Sequence, residues 1–163
     1  MRIFFMKIGK NRKIDIFASL VPSIIYDKID ISEEDIPMLH NITAVFIGGG
    51  LGAVLRYLLT VLCTRWWSLP LAGTLTANMA GCLAIGCISA LILGHHWEPT
   101  AAVRGFVTVG ILGGLTTFST LNFEVFELIG HGRVTLGILY GLGSLTLGLA
   151  LTGIGYWIGN YIG

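Results

Sequence analysis

Charged residues are scarce in most of this chain. Its 163 residues are 54% hydrophobic and only 12% charged, whereas soluble domains carry about 25% charged residues. No Lys or Asp occurs after position 40, where the only charged residues are Arg56, Arg65, Glu98, Arg104, Glu124, Glu127 and Arg133. So little polar surface excludes a soluble globular protein.

The chain also lacks a strong net charge and a reactive pattern. Its net charge of +1 offers no basic surface for nucleic acid. Cys63, Cys82 and Cys87 show no C-x-x-C spacing, so neither a disulfide framework nor a zinc site is expected. Adjacent His95 and His96 point in different directions and are interpreted as a solvated turn. No ATP motif or nucleophile constellation occurs, so we predict no catalytic residues and no enzyme.

What the chain has instead is long apolar runs. A membrane-spanning helix needs about 20 mostly apolar residues, and four runs qualify: 42–63, 71–93, 103–129 and 134–158. All four tryptophans fall at the ends of these runs, where membrane proteins place aromatic rings at the headgroup level: Trp66, Trp67, Trp97 and Trp157. The sequence predicts an all-α, multi-pass protein in contact with lipid in the cell (inner) membrane.

The orientation of these spans is weakly specified. Arg65 and Arg133 fall on one side of the predicted membrane and Arg104 on the other. Orientation follows the excess of Lys and Arg near span ends, and here that excess is small. Such a chain can insert both ways round, which permits an antiparallel dimer of one sequence. Arg56 lies inside the first span, where it either snorkels to the interface or serves the function.

Residues 1–40 differ from the rest of the chain. They are polar and charged, and precede a predicted four-helix domain at 41–163. One interpretation is an over-extended reading frame with a natural start at Met38, because Glu33-Glu34 can be encoded by a purine-rich sequence resembling a ribosome-binding site. The other is a genuine disordered cytoplasmic tail.

Small residues recur at four-residue spacing, which places them on one face of a helix and lets helices approach closely. The runs are Gly48 and Gly52; Gly73, Ala77 and Gly81; Gly137 and Gly141; and Gly155, Gly159 and Gly163. We interpret them as packing positions.

Polar residues inside the spans also follow this spacing. Thr74 and Asn78 share one face of the second span, and Tyr140 and Ser144 share one face of the fourth, with Gly148 next in line. An Asn amide in hydrocarbon is costly without a partner, so Asn78 is either interhelical glue or part of a polar path.

The third span contains an unusual segment from Gly110 to Leu121. Gly113-Gly114 followed by Thr116-Thr117 makes a poor helix interior, so a break in this helix is expected. Non-helical backbone at membrane depth occurs only where it is buried in protein or lines a wet cavity. Freed carbonyls suit a hard cation, whereas the hydroxyls and the electropositive edge of the Phe118 ring suit a small anion.

From Gly49 onward the chain resembles the Fluc (CrcB) family of fluoride channels in three ordered motifs. They read Gly49-Gly50-x-Gly52-Ala53-x-x-Arg56-Tyr57, Gly73-Thr74-Leu75-x-x-Asn78-x-x-Gly81 and Gly113-Gly114-Leu115-Thr116-Thr117-Phe118-Ser119-Thr120.

This resemblance implies a passive, fluoride-selective channel that exports fluoride and works as a dual-topology antiparallel homodimer. It implies a central structural sodium ion held by the backbone carbonyls of Gly113 and Thr116. The side chains it implies along or near each pore are Asn78, Phe118, Thr74, Ser119, Thr120, Tyr140, Ser144, Arg56, Leu121 and Glu124. Arg56 would attract the anion, and Glu124 would lie near a pore mouth.

Two positions depart from the pattern of the family. Leu121 stands where a second Phe is usual, and Gly148 stands where many relatives carry Ser. Two other functions remain open: a four-span drug/proton exporter, disfavoured because its first span lacks a membrane-embedded carboxylate, and a non-transporting membrane scaffold.

Overall fold

The protein is described here by a computed structural model that covers residues 38–67 and 70–163. The predicted polar extension lies outside the described residues except for its last three, which begin the first helix. Neither interpretation of Met38 as a start is therefore tested.

Four long helices make up the described structure. They are α1 (Met38–Trp67), α2 (Pro70–Leu93), α3 (Ala101–Gly130) and α4 (Val134–Ile162). Each is long and apolar enough to cross a membrane, which confirms the four predicted spans. The first span is longer than predicted, Leu39–Trp66 rather than 42–63. Helical hydrogen bonding continues past the purely apolar run because Arg65 and Trp66 can occupy the interface.

Helix α3 is interrupted, as predicted. It starts as an α-helix at Ala101–Arg104, continues as a π-helix at Gly105–Leu112 and returns to α-geometry at Gly113–Leu115. Thr116 and Thr117 are extended, with ψ of 151° and 118°, and Phe118–Gly130 is helical again. We call the part before Thr116 the first arm, the part after Thr117 the second arm, and the two threonines between them the break.

Helices α2 and α4 run parallel and form the most extensive helix pair. A Cβ atom added to Gly155 would collide with the carbonyl oxygen of Leu83, and one added to Gly159 would lie 2.5 Å from that of Cys87. The missing side chains therefore let the two backbones touch. These contacts confirm the packing interpretation for this part of the glycine pattern.

Helix α1 packs against the first arm of α3, and glycines again let the two backbones touch. A Cβ atom on Gly52 would collide with the carbonyl oxygen of Ile111, and one on Gly114 would lie 2.5 Å from that of Gly49. The break meets α2 at Gly81, where an added Cβ would collide with Cγ2 of Thr116. Glycine at these positions brings the interrupted helix against both neighbours.

Candidate functional site

The side chain of Asn78 on α2 is bound to the break in α3. Its Oδ1 accepts a 2.7 Å hydrogen bond from the backbone N–H of Thr117, and its Nδ2 donates to the carbonyl of the same residue at 3.1 Å. Thr117 is buried, so both backbone groups would otherwise lack a partner in an apolar environment. Asn78 therefore stabilises the extended backbone of the break.

The break leaves the carbonyls of Gly113 and Thr116 without the N–H donors that a continuous helix would supply. In a continuous helix the N–H of Thr117 would donate to the carbonyl of Gly113, four residues earlier; here it donates to Asn78. The N–H of Thr120 would likewise reach the carbonyl of Thr116, but it donates to Oγ1 of Thr117 at 3.2 Å. The carbonyls of Gly113 and Thr116 thus lose their helical donors.

A carboxylate and two hydroxyls meet one helical turn from Asn78. Oγ1 of Thr74 donates to Oε1 of Glu124, and the hydroxyl of Tyr140 donates to Oε2, both at 2.7 Å. Thr74 is only 3% exposed, and the three residues come from α2, α4 and the second arm of α3. We call this set the carboxylate cluster. It shows that Glu124 joins the helices together at this level.

The polar stripes predicted on α2 and α4 lie in parallel register. Thr74 and Tyr140 meet through Glu124, and one turn on, about 6 Å along the axis, come Asn78 and Ser144. A further turn brings Cys82 beside Gly148, whose added Cβ would lie 3.2 Å from the Cys82 sulfur. The two stripes therefore pair at three successive levels, each with one residue from α2 and one from α4, and we call this series the ladder.

The second and third levels of this ladder line a groove of about 500 Å³, which we call the central groove. Its walls include Asn78, Ser144, Gly113, Thr116 and Phe118. Ser144 is 6% exposed and its Oγ lacks a hydrogen-bond partner. A buried hydroxyl without a partner costs free energy, so Ser144 is a lining residue whose donor is not used within the described chain.

Phe118 stands where two grooves meet. A second groove of about 330 Å³, bounded by the second arm and α4, shares Phe118, Leu121 and Leu145 with the central groove. The Phe118 side chain is 68% exposed in the single chain, whereas Leu121 is buried. An exposed ring at this position can present its electropositive edge to an anion.

The other residues predicted for the site lie outside the central groove. The hydroxyl of Thr117 donates to Oγ1 of Thr120 at 3.0 Å and lies 3.2 Å from Oγ of Ser119. Arg56 is half-buried on α1, and α1 contributes no residue to the central groove. Outside the site, Nδ1 of exposed His95 lies 3.0 Å from Oε1 of Glu98, in keeping with the solvated turn predicted there.

Sequence reasoning missed several groove residues, among them Thr117, Cys82 and Thr108. Thr117, whose hydroxyl caps the second arm, carried a readable signal because Thr is a favoured N-cap residue after a helix break. Cys82 carried the four-residue spacing from Asn78 but was assigned to apolar packing. Thr108 lies in the π-helix, and nothing in the local sequence indicated that it faces the groove.

The chain is similar in sequence to a known family and to several of its members. Residues 43–156 match the family described as CrcB-like protein, Camphor Resistance (CrcB). A protein of Methylobacterium sp. (strain 4-46) named Fluoride-specific ion channel FluC is 37% identical over 76% of this chain and 98% of its own length. Proteins with the same name from Methylobacterium nodulans and Rhodospirillum centenum are each 41% identical over 69% of this chain, and over 90% and 95% of their own lengths.

Proposed function

This chain belongs to the CrcB family, and from that premise we propose that it is a fluoride-selective passive ion channel that exports fluoride across the cell (inner) membrane. It is a multi-pass membrane protein with four spans, and its family is one of channels rather than enzymes. Export of this kind lowers the fluoride concentration of the cytoplasm and so its toxicity.

The central groove is the observation that carries the proposal. It combines the amide of Asn78, the partnerless hydroxyl of Ser144 and the exposed ring of Phe118. Amides and hydroxyls donate hydrogen bonds to an anion, and ring edges attract it weakly. No side chain that carries a permanent positive charge lines the groove, so a bound anion is held loosely enough to leave again, as conduction requires.

The membrane potential can drive such export without a coupled energy source. Fluoride enters cells as neutral HF and dissociates inside. Moving one charge through 100 mV is worth about 2.3 kcal/mol, which corresponds to about a 50-fold concentration ratio. A selective pore therefore keeps internal fluoride well below external fluoride for as long as the inside is negative.

We also propose the structural sodium ion that the resemblance implies, held by the carbonyls of Gly113 and Thr116. The donor set suits it, because carbonyl oxygens are ligands for hard cations and both carbonyls have lost their helical donors to Asn78 and Thr117. Both residues also line the central groove. A bound cation would neutralise these two carbonyl dipoles and rigidify the break.

The functional unit that we propose is a dual-topology antiparallel homodimer. One chain supplies the freed carbonyls of Gly113 and Thr116, and a second copy would supply the same two again. The small excess of Arg65 and Arg133 over Arg104 fits insertion in both orientations. A cysteine introduced by His131→Cys, which leaves the three arginines in place, should then label from outside the cell in about half of the molecules when Cys63, Cys82 and Cys87 are replaced by Ala. Labelling of all or none would contradict dual topology.

The experiment for the channel itself is ion release from liposomes that contain the purified full chain. Fluoride release should fall at least tenfold with Phe118→Ile, which keeps the apolar bulk but removes the ring. Phe46→Ile is the matched control, because Phe46 is 81% exposed on α1 and does not line the groove. Equal loss in both variants would mean that Phe118 acts through folding rather than through the path.

Membership of the family also weighs on the two alternatives. An exporter would exchange its cargo for protons through a membrane carboxylate. The candidates are Glu124 and Glu127 near one end of α3, and the half-buried one of the two is Glu124. Its two short bonds to Thr74 and Tyr140 support a structural role. A scaffold would release no ion in the assay above.

A further inference from the structure

The thiol of Cys82 lies at the third level of the ladder and has no role yet in the proposed ion path. The Cys82 side chain lies one turn beyond Asn78 on the same face of α2 and lines the central groove. Opposite it, Gly148 of α4 is buried and has no side chain, and the Cys82 sulfur lies 3.2 Å from the position where a Cβ would stand. The sulfur therefore occupies the space that a side chain at 148 would take.

The groove continues past this level rather than ending at it. Ile85 on α2, Thr152 on α4 and Thr108 on the π-helix also line it, and Ile85 and Thr152 lie about one turn farther along their helices. Ser144, a residue that is 6% exposed and whose buried hydroxyl has no hydrogen-bond partner, lines the same groove one turn before. Cys82 therefore stands between two polar levels of one continuous groove.

We propose that Cys82 lines the ion path as its third polar group, where its S–H donates weakly to the anion after Asn78 and Ser144 do, and that it is a site at which a small thiol reagent blocks conduction. This inference rests on the proposed channel function. The other two cysteines differ: Cys63 is buried and lies 3.9 Å from the hydroxyl of Thr76, and the backbone of Cys87 packs against Gly155 and Gly159. Neither of these two lines the groove.

The modification has a defined chemistry with methyl methanethiosulfonate. The Cys82 thiol gives its proton to water, and the thiolate attacks the sulfenyl sulfur of the reagent. A disulfide forms, the bond to the sulfonyl group breaks, and methanesulfinate leaves, so the thiol is oxidised and the reagent reduced. Only a thiolate reacts, and cysteines in dry apolar surroundings are inert. Reaction at Cys82 therefore requires water in the groove.

The test treats liposomes that contain the full chain with this reagent and measures fluoride release and the modified cysteines by mass spectrometry. We expect Cys82 to be modified ahead of Cys63, and fluoride release to fall at least tenfold. In the near-isosteric Cys82→Ser variant, treatment should leave the rate of fluoride release equal to that of the same variant before treatment. Untreated Cys82→Ala should release fluoride about two- to fivefold more slowly, as expected for the loss of one weak hydrogen bond.

Three results would overturn the inference: a conducting protein whose Cys82 does not react, modified Cys82 with unchanged fluoride release, or equal inhibition of Cys82→Ser. Failure of the proposed function gives a different result. Untreated protein would then release no fluoride, while selective modification of Cys82 over Cys63 would still support a water-filled groove at this level.

Discussion

Asn78→Ala should destabilise the extended backbone of the break in α3. The substitution removes the 2.7 Å and 3.1 Å hydrogen bonds that hold the N–H and carbonyl of Thr117 and leaves no side chain to replace them. Each bond contributes about 1 kcal/mol net to stability. The loss of both is about 2 kcal/mol, which corresponds to about a 30-fold change in the equilibrium for local opening.

Hydrogen exchange at the amide of Thr117 measures this opening directly. In bilayers, this amide should exchange about 30-fold faster in Asn78→Ala than in the unchanged protein. Fluoride release should fall as well, because the carbonyls of Gly113 and Thr116 are then free to move. Local exchange of this kind reports segments that open without global unfolding.

Asn122→Ala is the matched control for this experiment. Asn122 lies on the second arm and donates an exposed 2.9 Å hydrogen bond to the carbonyl of Phe118. Its replacement therefore removes an amide of the same type without affecting the hydrogen bonds of Thr117. Exchange at Thr117 should not change in this variant. Equal exchange rates in Asn78→Ala and the unchanged protein would refute the account of the break.

Two further substitutions test the packing around the site. Glu124→Gln replaces one of the two acceptor oxygens with an NH₂ group, which cannot accept a hydrogen bond from Thr74 or Tyr140. The free energy of unfolding should therefore fall by about 1–3 kcal/mol. Glu127→Gln, at an exposed position, should leave it unchanged. Gly52→Ala places a Cβ against the carbonyl of Ile111 and 2.8 Å from the N of Leu115, which should cost about 1–3 kcal/mol. Gly50→Ala meets no atom within 4 Å and should retain full stability, so equal losses in the two glycine variants would contradict the close contact of α1 and α3.

The sequence was most informative where one physical requirement dominates. Long apolar runs predicted the four helices because a run of about 20 apolar residues has the length of a membrane-spanning helix, in which all backbone hydrogen bonds are made within the segment. The break was also predictable, because Gly113-Gly114 and Thr116-Thr117 all disfavour helix. Four-residue spacing predicted the stripes of α2 and α4, and their parallel register places Asn78 and Ser144 at the same level of one groove.

What the sequence could not provide depends on contacts between helices. The π-helix Gly105–Leu112 has no simple sequence signal, and it places Thr108 in the groove. The resemblance to the family implied that Glu124 lies near a pore mouth. Its bonds to Thr74 and Tyr140 arise because α3 restarts after the break with its second arm against α2 and α4. The pore roles of all the predicted side chains remain predictions.

The most direct test of the central claim is the release of fluoride and chloride from liposomes that contain the full chain, followed with electrodes selective for each ion. The donors of the central groove and the Phe118 ring predict rapid release of fluoride and little release of chloride. Equal release of the two halides, or no fluoride release from folded protein, would contradict a fluoride-selective path through this groove.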